Sequence, residues 1–239
     1  VSPHKMSLLS SREYWESRYK LDPEPFDWYQ RFSLNDQFKE TVQQYLQPQD
    51  RTLIVGAGTS RLTEELWAMQ HSRLAWNNIK AECHMVNIDF SSIAVALLNE
   101  RYARMDIGAI QNIVMDARAM EFEDSSFNAI IDKATLDSIL CGEGGAQSGA
   151  RLLAEVARVL KPGGFFFLLS NAPPKQRLPM LEQPQFSWRC VANALPKPGS
   201  DRLVPNVDAS FGSDEANSKN HYLYIMTKEI QKLPESVED

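Results

Sequence analysis

Thr52-Leu-Ile-Val-Gly-Ala-Gly-Thr-Ser60 is the stretch from which the rest of this chain is read. An apolar run ends in two glycines one residue apart, and a helical pattern begins at once. Glycine lets the backbone turn that sharply and leaves room for a ligand to approach it. Further on, His84-Met-Val-Asn-Ile-Asp89 is a second apolar stretch that ends in a carboxylate. A carboxylate there can accept both hydroxyls of a ribose. Strand, glycine turn, helix, strand and acidic end together form the layout of a nucleotide or nucleoside site at the carboxyl edge of a parallel sheet.

The glycine pattern departs from the dinucleotide fingerprint. After Gly58 come Thr59, Ser60, Arg61 and Leu62, so the third glycine is missing. That glycine serves close helix–strand packing around a pyrophosphate. Asp89 also lies farther on than the ~20 residues of a dinucleotide site, and the gap holds an extra segment, Met69 to Asn78. No lysine follows the glycines, which excludes a P-loop. A nucleoside without phosphates fits better, and S-adenosylmethionine is the leading candidate.

With 239 residues, 43% hydrophobic and 23% charged, the chain is long enough for one large α/β domain with its own core. Its net charge of −6 argues against non-specific nucleic-acid binding and suits a basic partner. No apolar run approaches the ~20 residues of a membrane span. No signal-peptide pattern is visible, so a cytoplasmic protein is expected, or a mitochondrial one if a targeting segment has been removed; the oligomeric state is open, with a monomer favoured. Cys83, Cys141 and Cys190 are odd in number and widely spaced, which reads as a reducing compartment without structural zinc. His4, His71, His84 and His221 show no metal-ligand spacing.

Along the chain, residues 10–20 read as a helix capped by Ser10 or Ser11, and Pro23-Glu-Pro-Phe-Asp-Trp28 breaks it. A second helix is expected from Leu34 to Leu46. Strands are expected at Thr52–Val55, Cys83–Ile88, Ala109–Met115, Phe127–Ile131 and Phe165–Ser170, with helices from Thr59 to Met69, after Ser91 or Ser92, and around Leu152–Leu160. Alternation of this kind implies a mostly parallel sheet with helices on both faces. Phe186–Ala192 and His221–Lys228 look like a closing antiparallel pair with no helix between them, joined by a long loop from Leu195 to Asn220. Residues 1–48 are expected to form a helical lid segment and residues 49–239 the main domain, within one domain overall.

Five parallel strands, the glycine turn, the acidic end of the second strand and the Arg158-Val-Leu-Lys-Pro-Gly-Gly-Phe165 turn resemble the seven-strand, Rossmann-like S-adenosylmethionine-dependent methyltransferases. Glu13-Tyr-Trp-Glu-Ser-Arg-Tyr19, Pro25-Phe-Asp-Trp28 and Ile131-Asp-Lys-Ala-Thr-Leu-Asp137 narrow this. Together they resemble the methyltransferase-like protein 13 family. That family includes protein-lysine methyltransferases acting on elongation factor 1-alpha and, in a mitochondrial branch, on citrate synthase. Where the family motif usually has glycine before threonine, this chain has Ala134.

The resemblance implies methyl transfer to a lysine of a protein substrate, with S-adenosylhomocysteine as the other product. It implies a cofactor site of Trp15, Tyr19, Trp28, Gly56, Gly58, Asp89, Phe90, Asp116, Ala117 and Lys133. Asp137 would orient the incoming amine, with Asp132 and Lys133 fixing the cofactor end. Side-chain chemistry agrees with parts of this. Asp89 suits the ribose, Phe90 one adenine face and Asp116 the adenine amino group, while aromatic rings attract a sulfonium cation.

Plainer readings stand beside these. Trp15, Tyr19 and Trp28 could only pack a helix onto the sheet, and Asp116 could cap a helix. Asp132 and Asp137 could form a structural ion pair with Lys133. Cys141-Gly-Glu-Gly-Gly-Ala-Gln-Ser-Gly149 reads as a flexible connection, with substrate gating as its functional alternative, and Cys141 as incidental. The rival functions are a small-molecule methyltransferase of the same fold and an inactive cofactor-binding interaction protein.

Overall fold

The computed structural model describes residues 7–77, 84–107, 109–199 and 214–230. Its centre is one seven-stranded sheet: β1 (Thr52–Val55), β2 (Met85–Asp89), β3 (Ile110–Val114), β4 (Phe127–Lys133), β5 (Leu160–Ser170), β6 (Trp188–Pro196) and β7 (Asn220–Lys228). The spatial order is β3-β2-β1-β4-β5-β7-β6. Strands β1 to β5 pair in parallel, and β7 inserts antiparallel between β5 and β6. This is the expected Rossmann-like arrangement, with the antiparallel pair closing one side.

Every residue of β1 is buried, and alternate side chains serve opposite faces. Ile54 joins one core layer, with Phe38, Val42 and Leu66, while Leu53 and Val55 join the other, with Leu152, Val156 and Val159. A strand covered on both sides must be apolar throughout, which is why its sequence does not alternate. The covering helices are α1 (Arg12–Leu21), α2 (Asp36–Tyr45), α3 (Leu62–Trp76), α4 (Ser92–Arg104), α5 (Thr135–Leu140), α6 (Gly145–Val159), α7 (Pro174–Leu181) and α8 (Asp214–Lys219).

Strand order reverses beside β1, with β2 on one flank and β4 on the other. Val55 lies level with Ile88 of β2 and Asp132 of β4. Gly56 therefore leaves the sheet beside the ends of both neighbours, at the switch point where open α/β sheets bind ligands.

Several boundaries differ from the sequence expectation. α3 runs on to Trp76 and absorbs most of the segment read as an insertion, while Cys83 lies outside the described residues. α6 starts at Gly145, inside the glycine-rich stretch, because Gly145 and Gly149 are buried and pack closely on Leu140. Strand β5 begins before Lys161-Pro-Gly-Gly164. Leu160 pairs with Phe127 and Phe165 with Ala129, so the turn is a bulge within the strand. β6 is displaced toward Pro196 because it follows β7 along its whole length. A short helix, α8, does lie between β6 and β7, and residues 200–213 of the expected loop are outside the described residues.

Candidate cofactor site

A cavity of about 360 Å³ opens at the carboxyl edge of β1, β2 and β4, large enough for a drug-sized ligand. Its floor is the glycine turn. Gly56 has φ +61° and Gly58 φ +52°, a region L side chains avoid. The side chain of Thr135 packs against Gly56 while its hydroxyl donates to the Val55 carbonyl at 2.9 Å. A β-carbon on Gly58 would sit 2.7 Å from the Tyr19 hydroxyl.

Asp89 lines this cavity and is buried. Its Oδ2 accepts from the Gly58 amide at 2.9 Å and its Oδ1 from the Ser91 amide at 2.8 Å. Burial pushes its carboxyl up to about 6 despite these two donors, which pull the other way. Two backbone donors leave lone pairs of the carboxylate available to a diol. Phe90 and Ala117 also line the cavity. Asp116 lines it as well, with its carboxylate held by the guanidinium of Arg118 at 2.6 Å. It is therefore an ion-pair partner at the rim rather than a helix cap.

The aromatic residues come from the N-terminal segment. Ser11 caps α1 by accepting from the Tyr14 amide. Helix α1 is tied to α4 by Glu16, whose Oε1 accepts from the Ser92 amide at 2.9 Å. An anion at that helix N-terminus also meets the positive end of the helix dipole. Trp15 and Tyr19, buried and stacked 5.7 Å apart, and Trp28, 6.3 Å from Trp15, all line the cavity. The Trp15 indole donates to the Leu9 carbonyl at 2.7 Å. These rings pack on one another and on Ala94, and they also wall the cavity. The packing and the cofactor readings thus describe the same residues.

Lys133 lines the cavity too, yet its partner is neither Asp132 nor Asp137. Its ammonium donates to Asp27 at 2.7 Å and to the Trp28 carbonyl at 3.3 Å. Burial lowers the Lys133 pKa, with Asp27 opposing the shift. Asp27 is held below its usual range: burial works against this, and Lys133 and Ser60 outweigh it. Sequence reading quoted Asp27 but gave it no role, because nothing local reveals a partner on β4.

The two other acids lie outside the cavity lining. Asp132 is fully buried and does not line the cavity. It accepts from the amides of Thr135 and Leu136 in the first turn of α5, whose N-cap residue is Ala134. Burial pushes it up to about 7. Asp137 does not line the cavity either. It accepts from Tyr29 Oη at 2.7 Å, Ser170 Oγ at 2.6 Å, the Asn171 amide at 2.8 Å and Arg177 Nη2 at 2.6 Å. A carboxylate has about four acceptor sites, and all four are engaged here. Between the two acids, Ala134 takes φ +76°, the left-handed turn that glycine would adopt without strain. Tyr29 and Arg177 were not anticipated, and no sequence spacing could have paired them with Asp137. Cys141 is half-buried and donates to the Asp137 carbonyl. Among the described residues no group of acidic, histidine or cysteine side chains has metal-binding geometry.

The family model described as "Methyltransferase domain" matches residues 53–168, the stretch that carries the glycine turn, Asp89, Asp116 and Lys133. A mouse protein named EEF1A lysine methyltransferase 4 is 30% identical over 196 residues, which cover 78% of this chain and 71% of the mouse protein. The chain belongs to the EEF1A lysine methyltransferase 4 family. It is an S-adenosylmethionine-dependent methyltransferase. A zebrafish protein named eEF1A lysine and N-terminal methyltransferase is 34% identical over 173 residues, 71% of this chain but 22% of that longer protein. The fold matches a solved SAM-dependent methyltransferase from Methanosarcina mazei with a TM-score of 0.55 at 17% identity, covering 86% of this chain and all of the other. No described helix is long and apolar enough to cross a membrane.

Proposed function

We propose that this methyltransferase moves the methyl group of S-adenosylmethionine to the Nζ of a lysine on a protein, with elongation factor 1-alpha as the first target to test. Membership of the family, over 71% of the mouse relative's length, carries the reading. Asp89 would hold the ribose, Phe90 and Ala117 the adenine, Asp116 the adenine amino group, and Gly56 and Gly58 the close backbone approach. Trp15, Tyr19 and Trp28 would face the sulfonium, each ring contributing ~0.5–2 kcal/mol of cation attraction. Lys133 would act by fixing the lid, residues 1–48, through Asp27. Asp137 would orient the incoming amine, with Asp132 and Lys133 fixing the cofactor end, and both acids also hold α5 and the lid in place.

Transfer requires a neutral amine. A free lysine has a pKa near 10.4; desolvation in the cavity and the adjacent sulfonium would both lower it. In-line alignment of nitrogen, methyl and sulfur supplies most of the rate effect. The net charge of −6 supports a cationic protein surface as the partner, in preference to nucleic acid or membrane. A monomeric, cytoplasmic enzyme is the corresponding reading, supported by its cysteine usage.

The test is incubation with methyl-labelled cofactor, purified elongation factor 1-alpha and a cell extract, followed by mass spectrometry. Label on a lysine of the elongation factor is expected. Label on a small metabolite, with none on protein, would replace this reading with small-molecule methylation.

A further inference from the structure

Of residues 27–30, only Trp28 lines the cavity. Its neighbours turn elsewhere, and each is fastened to a different part of the fold. Asp27 accepts from Lys133 on β4 and from Ser60 beyond the glycine turn. Gln30 is buried, donates to the Pro196 carbonyl at 2.7 Å and lies 3.2 Å from His221 Nδ1. Tyr29 has φ +62°, a conformation that non-glycine residues hold only when their surroundings enforce it. Its hydroxyl donates to Asp137 at 2.7 Å, and its ring lies 4.7 Å from that of His221.

The anchor for that hydroxyl is itself fixed. Asp137 is gripped by Arg177 of α7 and by Ser170 and Asn171 at the end of β5. Burial raises the Tyr29 phenol and lowers His221 to about 4, so the phenol stays a donor and the imidazole stays neutral near neutral pH. A left-handed turn at Tyr29 reverses the direction of the chain just after Trp28. The Gln30 amide closes the turn on the Trp28 carbonyl at 2.8 Å, and the Tyr29 hydroxyl ties it to α5.

We infer that Tyr29 is a positioning residue: latched to Asp137, it holds Trp28 against the bound cofactor. The inference rests on the proposed cofactor role of Trp28. It gives Asp137 a part in the geometry of the lid, and it extends the working site to Arg177, beyond the stretch matched by the methyltransferase-domain model.

The test is calorimetric titration of S-adenosylhomocysteine into the full chain and into Tyr29→Phe, Trp28→Leu and the double variant. Tyr29→Phe keeps the ring against His221 and removes only the hydroxyl. It should weaken binding by roughly fivefold or more, the usual scale of coupling between two sites. In the Trp28→Leu background the same change should have little further effect, since contacting residues are non-additive. If Tyr29→Phe lowers thermal stability, the stabilisation produced by added S-adenosylhomocysteine still reports the affinity. Lower stability with unchanged affinity would make Tyr29 a packing residue and overturn the latch, as would an equal effect of Tyr29→Phe in the Trp28→Leu background. Unchanged affinity in Trp28→Leu would instead overturn the cofactor role of Trp28, and the inference with it.

Discussion

Asp89 and Asp137 are two acids at the same edge of the sheet, one ending β2 and one in the helix after β4, and they are used in opposite ways. Asp89 faces the cavity and meets two backbone amides, from Gly58 and Ser91, which leaves acceptor capacity for a ligand. Asp137 faces away from it and is saturated by a tyrosine, a serine, an amide and an arginine. One carboxylate is desolvated but under-used, which raises its pKa; the other is paired and serves the architecture. A conserved-looking acid in a motif is thus not chemically informative until its partners are counted.

The largest effect should come from breaking the saturated site. Arg177→Met leaves Asp137 with no counter-charge in a mostly buried position, and stability should fall by about 3 kcal/mol, the lower end for a broken buried pair. Urea denaturation measures this; a loss below about 1 kcal/mol would show that the pair behaves like a surface contact and that the contrast with Asp89 is overstated.

Asp89→Ala should affect binding instead. Loss of the ribose acceptors should weaken S-adenosylhomocysteine by about 1.5–3 kcal/mol, with the fold retained by circular dichroism. Because a buried acid is removed, the denaturation midpoint should hold or rise. Unchanged affinity would refute the ribose assignment.

A pH series sharpens the same contrast. The folded-state pKa of Asp89 is raised to about 6, so its contribution to fold stability is greatest at low pH and is lost as pH rises through that value. Cofactor affinity runs the other way, since only the carboxylate accepts both hydroxyls. Binding should weaken as pH falls below about 6. Calorimetry on Asp89→Asn, which cannot titrate, should show a flatter profile; parallel profiles would assign the dependence to another group.

The smallest effect is expected at the rim. Arg118 and Asp116 are both substantially solvent-exposed, so Arg118→Ala should cost no more than ~1 kcal/mol of stability and should not weaken the cofactor. A marked loss of affinity would make Arg118 a cofactor contact.

What was legible in the sequence follows from distance along the chain. The glycine turn, Asp89 and the cap on α1 depend on neighbours a few residues away, and their sequence signatures survive folding. The fold class was legible for the same reason, through strands and helices of recognisable period. The boundaries of β5 and β6 were not, because pairing partners set them: a bulge keeps Pro162 within β5, and β7 extends β6 past Ala192. Asp137 was singled out by its motif, but its partner Tyr29 lies 108 positions upstream and Arg177 lies 40 downstream. Burial and the turn at Tyr29, which no glycine announces, decided its use.

The sheet order also bears on how the protein is made. Residues 27–30 leave the ribosome before β7, yet Gln30 and Tyr29 rest on His221, 191 positions beyond Gln30. Strand β7, which carries that histidine, must slot between two strands already synthesised. A nascent chain lacking β7 has no support on the His221 side of its lid. Competence to retain the cofactor should therefore arrive only once β7 has been made, so that products terminated before it would not sequester methyl donor.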